Sequence, residues 1–132
     1  MADILLIGDT QARMEAYALA LSALGHSVEL CVTAHAARDR LAGPAVELVV
    51  VDIDKPDGGM GLLCGQACAA WPAVKLIALA PFRDFSQTKL VQMGLWEPTE
   101  VMVHPISDAR LVDTISHVLA SQKSPKATRQ QA

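Results

Sequence analysis

Short aliphatic runs recur along this chain, and longer stretches of helical period lie between them. The runs are Ile4-Leu5-Leu6-Ile7, Ser27 to Val32, Val46 to Val51, Val74 to Leu79, and Val101-Met102-Val103. The first, third and fourth are nearly continuous in apolar residues. Strands buried on both faces look like this, and a parallel sheet covered by helices requires them. The first helical segment, Thr10 to Leu24, puts Ala16, Leu19, Ala20, Ala23 and Leu24 on one stripe and stops at Gly25. Ala34 to Leu41 ends before Gly43-Pro44, Gly61 to Ala70 before Trp71-Pro72, and Asp84 to Met93 before Gly94. Asp108 to Ser121 opens on a Ser107-Asp108 cap and carries Leu111, Ile115, Val118 and Leu119 on one face. Strands and helices alternating in units of about 25 residues imply an α/β chain with a parallel sheet. Right-handed crossovers then lead to a three-layer doubly wound fold, five strands in the order 2-1-3-4-5 with helices on both faces.

Composition limits what such a fold can do. The chain has 132 residues, the size of one domain, with 52% hydrophobic and 19% charged residues, which excludes a disordered chain. Aromatic residues are only 4%, so aliphatic side chains and alanine must build the core. A net charge of -3 argues against a general binder of nucleic acid or anionic membranes. No run approaches the roughly 18 apolar residues of a membrane span. Met1-Ala2-Asp3 has no basic region of the kind that opens a secretory signal. Cys31, Cys64 and Cys68 form an odd, sparse set that fits reduced thiols and a cytoplasmic location. From residue 122 to 132 the chain turns polar and basic, so a folded domain is expected over 1–121 with a flexible tail behind it.

In doubly wound folds ligands bind outside the carboxyl ends of the strands, where the strand order reverses. The residues to question are therefore Gly8-Asp9-Thr10, Asp52-Ile53-Asp54, Ala80-Pro81 and His104-Pro105. Strands one and three are neighbours in the expected order, so Asp9 and Asp52 converge. Two adjacent carboxylates repel, and a hard divalent cation such as Mg2+ relieves the repulsion. Asp54 adds a nearby acid whose side chain turns away from that of Asp52. The plainer reading is that these aspartates are solvated turn formers.

The order and spacing of these residues resemble the receiver domain of two-component response regulators. Ile4-Leu5-Leu6-Ile7-Gly8-Asp9 before a helix resembles its opening. Leu48-Val49-Val50-Val51-Asp52-Ile53-Asp54-Lys55-Pro56, with Gly58, Gly59 and Gly61 close behind, resembles its phosphoacceptor loop, and His104-Pro105 stands where the family has Lys-Pro. The resemblance spans residues 3 to about 120. It implies that Asp52 is a phosphoacceptor taking phosphoryl from a histidine kinase, that Asp9 is a Mg2+ ligand, and that the Asp54 backbone carbonyl completes the metal site. Three departures stand out. The family usually has two adjacent acids after the first strand, and the earlier position here is Gly8. The Thr or Ser whose hydroxyl binds a phosphoryl oxygen is replaced by Ala80. The phosphoryl-pairing Lys is replaced by His104, which either pairs with a phosphoryl group or caps the strand end, the second being the reading adopted here. Val101 falls near the aromatic position of the fifth strand that reports the switch.

Other constellations are weaker. Cys64 and Cys68, spaced i,i+4, can face the same way, but no second pair completes a zinc set, and small buried residues explain them better. His26, His35 and His117 read as surface residues. Gly8-Asp9-Thr10-Gln11-Ala12-Arg13 is neither a dinucleotide-binding turn nor a phosphate-binding loop. Trp96, Phe82 and Phe85 mark a candidate partner surface. The expected function is a non-enzymatic, receiver-like signalling module that contacts a histidine kinase or other signalling protein, with phosphorylation at Asp52 weak or absent and at most a weak Mg2+ site. Two alternatives stand beside it: a working phosphoacceptor receiver that uses Asp52 and Mg2+ in an altered site, and a flavodoxin-like small-molecule binder or enzyme. A homodimer would pair through the fourth helical segment, the fifth strand and the last helix.

Overall fold

A computed structural model describes residues 2–53, 60–81 and 99–121. Within them the order is β1 (Asp3–Ile7), α1 (Gln11–Ser22), β2 (Ser27–Cys31), α2 (Ala34–Leu41), β3 (Leu48–Asp52), α3 (Met60–Ala70), β4 (Lys75–Ala80), β5 (Glu100–Val103) and α4 (Asp108–Ala120). The five strands form one sheet in the order β2-β1-β3-β4-β5. Every pair is parallel: Ile7 lies beside Cys31 and Val51, Asp52 beside Leu79, and Ala80 beside Val103. The expected fold and strand order are therefore those of the molecule. The Asp84–Met93 helical segment, Phe82, Phe85, Trp96, Asp54 and the 122–132 tail lie outside the described residues.

Burial follows strand position. The central strands β1, β3 and β4 are buried almost throughout, as their continuous apolar runs require. The edge strands β2 and β5 mix buried with exposed positions. Period-two alternation divides the apolar side chains between two layers. Leu5, Ile7, Val49, Val51, Leu76 and Ala78 face Ala37 and Leu41 of α2 and Leu63, Cys64 and Ala67 of α3. Ile4, Leu6, Leu48, Val50, Ile77 and Leu79 face Met14, Tyr17 and Leu21 of α1 and Leu111, Ile115 and Val118 of α4.

Local chemistry sets the helix ends. Thr33 and Ser107 accept from the backbone N–H of Ala36 and Arg110 at 3.0 and 3.1 Å, capping α2 and α4. Gly25, at φ 92°, takes the left-handed conformation that follows α1. Lys75 Nζ donates to the carbonyls of Val118 and Leu119 at 3.1 and 3.4 Å, and to that of Ser121, closing the carboxyl end of α4. Arg40 grips Glu29 with two hydrogen bonds of 2.8 and 3.0 Å and stacks 5.4 Å from the Trp71 ring centre, tying α2 to β2 and to the end of α3.

Two sequence expectations are corrected. The core side of α1 is Met14, Tyr17 and Leu21, whereas Leu19 is 74% and Leu24 53% exposed. Alanine-rich α1 has two apolar faces, and periodicity alone cannot choose between them. The larger Met14 and Tyr17 fill the layer beneath the sheet, which turns Leu19 outward. His26 is half-buried, and its Nδ1 accepts from the Ala2 N–H at 3.1 Å. His35 and His117 are exposed as expected. Among the described residues, no helix is long and apolar enough to cross a membrane.

Three weak acids sit in this packing. Burial pushes the Cys31 and Cys64 thiols up from 9.0 and the Tyr17 phenol up from 10.0. A raised acid favours its protonated form in the folded state. This contribution is whole below the ordinary values and is lost as pH climbs past them. Urea unfolding should therefore show stability falling above pH 9.0, and Cys64→Ala should make that alkaline decline shallower than in the wild type.

Candidate functional site

Parallel strands in this order bring the carboxyl ends of β1, β3, β4 and β5 to one edge of the sheet. Asp52 is the last residue of β3, and Ile53 continues the ladder by donating its N–H to Leu79 at 2.9 Å. Among the described residues, Asp52 is the one buried charged side chain, and its side chain is 1% exposed. A carboxylate removed from water must find donors or a counter-charge.

It finds both. Arg13, in the first turn of α1, donates from Nη1 to Asp52 Oδ2 at 2.7 Å. His104, just past β5, places Nε2 2.7 Å from Asp52 Oδ1. An ionised carboxylate only accepts, so this His104 nitrogen carries the hydrogen. The 3.5 Å separation between Arg13 Nη1 and His104 Nε2 is then two donors meeting over one carboxylate, not a hydrogen bond between them. Both contacts have the short length of charge-assisted bonds. His104 is held in turn by backbone, its N–H donating to the Ala80 carbonyl at 3.0 Å, and the His104-Pro105 peptide is cis.

At the end of β1 the edge is tightly packed. A Cβ on Gly8 would lie 2.7 Å from Met14 Sδ and 3.0 Å from Asp52 Cβ. The place where the resemblance would put a second acid is thus crowded by Met14, the residue after Arg13. Ala80 is buried and offers no hydroxyl. Asp9 is exposed on the turn after β1. Val101 is half-buried against the layer that holds α2 and α3. Beside the cluster, a cavity of about 440 Å³ opens between α1 and the segment after β5, lined by Arg13, Tyr17, Pro81, His104, Ile106 and Asp108. Its inner wall is fixed by the Tyr17 hydroxyl, which donates to the Ile106 carbonyl at 2.8 Å.

These residues do not suit Mg2+. The ion requires near-octahedral oxygen ligands at about 2.1 Å. Here a guanidinium and an imidazole hold the two Asp52 oxygens, and no acid stands at Gly8. Among the described residues, no group of three His, Cys, Asp or Glu side chains is placed to hold a metal. Nor do the cysteines provide one: Cys64 is buried and Cys68 half-buried on α3.

Sequence reasoning brought Asp52 and His104 to this edge but gave His104 the role of strand cap, and it missed Arg13. His104 bonds the carboxylate because its backbone is fixed at the end of β5, one strand beyond β4, with its ring pointing back over the edge. Arg13 sits among polar residues at a helix start and looks like an ordinary solvated charge. The available signal was its place one residue before a buried Met, in the turn that opens over the carboxyl ends of the strands. The tight fit around Gly8 is testable: Gly8→Ala should cost about 1–3 kcal/mol in urea unfolding, and a variant as stable as the wild type would show that Met14 yields freely.

No family model matches the chain, and no curated protein matches it in sequence. Solved structures do. A receiver domain protein (CheY-like) from Methanospirillum hungatei superposes with a TM-score of 0.78 at 21% identity, over 91% of this chain and 94% of that one. A two-component response regulator from Clostridium difficile gives 0.78 at 17% identity, over 94% and 100%. A response regulator from Thermotoga maritima gives 0.74 at 18%, over 90% and 98%. Sheet order, helix placement and these superpositions agree: the chain has the flavodoxin-like fold of response-regulator receiver domains.

Proposed function

We propose that this chain is a signalling module of the two-component type that acts through contact with a protein partner, a histidine kinase or another signalling protein, with phosphoryl transfer to Asp52 weak or absent. The observation that carries this reading is the double engagement of the Asp52 carboxylate by Arg13 and His104, both at 2.7 Å. Attack on a phosphoryl donor would compete with these two contacts, and the product would carry more negative charge to an edge where the described residues place no metal-binding group. The missing hydroxyl at Ala80 acts in the same direction, since a phosphoryl group would find no hydroxyl donor there. Contact with a partner needs only surface. The outer side of α1 supplies an apolar one: Leu19 is 74% exposed, with Ala12 and Ala23 exposed beside it.

Intact-mass measurement after incubation with acetyl phosphate and Mg2+ tests the reading, with Asp52→Asn as the control. The wild type should gain little or no phosphoryl mass. A stoichiometric gain that disappears in Asp52→Asn would show a working phosphoacceptor and defeat the proposal.

A further inference from the structure

We infer that Arg13 is the resident counter-cation of Asp52, holding one carboxylate oxygen that a divalent metal would need. The inference concerns the same site as the functional proposal and rests on that reading for Asp52 as the acceptor-equivalent position.

The geometry assigns this role to one turn of α1. Arg13 Nη1 lies 2.7 Å from Asp52 Oδ2, on a lone pair that a cation bound at about 2.1 Å would have to share. The next residue, Met14, has its Sδ only 2.7 Å from the place a Cβ on Gly8 would take. Two consecutive residues therefore crowd the site: Arg13 covers one Asp52 oxygen, and Met14 packs against Gly8, where the resemblance would put an acid. His104 covers the other oxygen of Asp52. Arg13 is itself one-third exposed, with 33% of its side chain in contact with solvent, so it brings a charge to the edge without being fully desolvated. Asp52, at 1%, is the partner that depends on the pair. Removing the guanidinium should leave a buried carboxylate short of positive charge, with Asp9 on the adjoining turn as a second oxygen donor.

The experiment is thermal unfolding of the full chain in chelator and in millimolar Mg2+, for the wild type, Arg13→Ala, Arg13→Lys and the double variant Arg13→Ala/Asp52→Asn. The wild-type midpoint should not move with Mg2+. Arg13→Ala should melt lower in chelator and recover by about 5 °C on adding Mg2+, as expected for a ligand that binds only the folded state. Arg13→Lys keeps the charge and should stay insensitive to the metal. The double variant removes both charges and should lose the Mg2+ response. If Arg13→Ala is unfolded in chelator, recovery of its far-ultraviolet circular dichroism with Mg2+ supports the inference. If it is unfolded in both conditions, a folded double variant supports it and an unfolded one overturns it. It is also overturned if Mg2+ raises the wild-type midpoint as much as that of Arg13→Ala, or if a folded Arg13→Ala ignores Mg2+. Phosphoryl gain by the wild type would defeat the functional proposal and leave these melting results to stand by themselves.

Discussion

Burying one carboxylate at the end of the central strand β3 is the constraint around which the functional edge is arranged. Asp52 cannot remain ionised in an apolar sheet without partners. Arg13 and His104 reach it from α1, which follows β1, and from the end of β5, two strands on opposite sides of β3 in the sheet. The contact therefore does more than satisfy Asp52. It ties the first helix to the last strand across the strand ends, where the apolar layers give out and hydrogen bonding must take over.

The residues that hold the sheet together are largely distinct from those that gather at its edge. The layers that hold the sheet depend on aliphatic side chains in β1, β3 and β4, none of which takes part in the site. Ala80 and His104 set what the edge presents without disturbing the alternation that buries the strands. Gly8 is the exception that couples the two, because the space above it belongs to Met14, a core residue of α1.

α1 carries the largest difference between sequence expectation and structure. Its alanines leave two faces of similar hydropathy. The stripe Ala16, Leu19, Ala20, Ala23 and Leu24 satisfies helical periodicity as well as Met14, Tyr17 and Leu21 do. Rotating the helix onto the second set buries the bulkier side chains, sends the Tyr17 hydroxyl to the Ile106 carbonyl, and swings Arg13 toward Asp52. One rotation thus explains both the misread stripe and the missed arginine.

What the sequence determined by itself is the architecture and the edge. Aliphatic runs of strand length, separated by helical segments and punctuated by Gly8, Gly25 and Gly43, specify a doubly wound sheet with 2-1-3-4-5 order, because hydrophobic period and crossover handedness are local or general rules. Asp52 and His104 were placed at the strand ends for the same reason. What only the tertiary structure decided is the pairing across that edge. Arg13 and Asp52 are 39 residues apart, and His104 and Asp52 are 52 apart. Contacts of that range depend on helix rotation and strand register together, and neither is written in the spacing of charged residues along the chain.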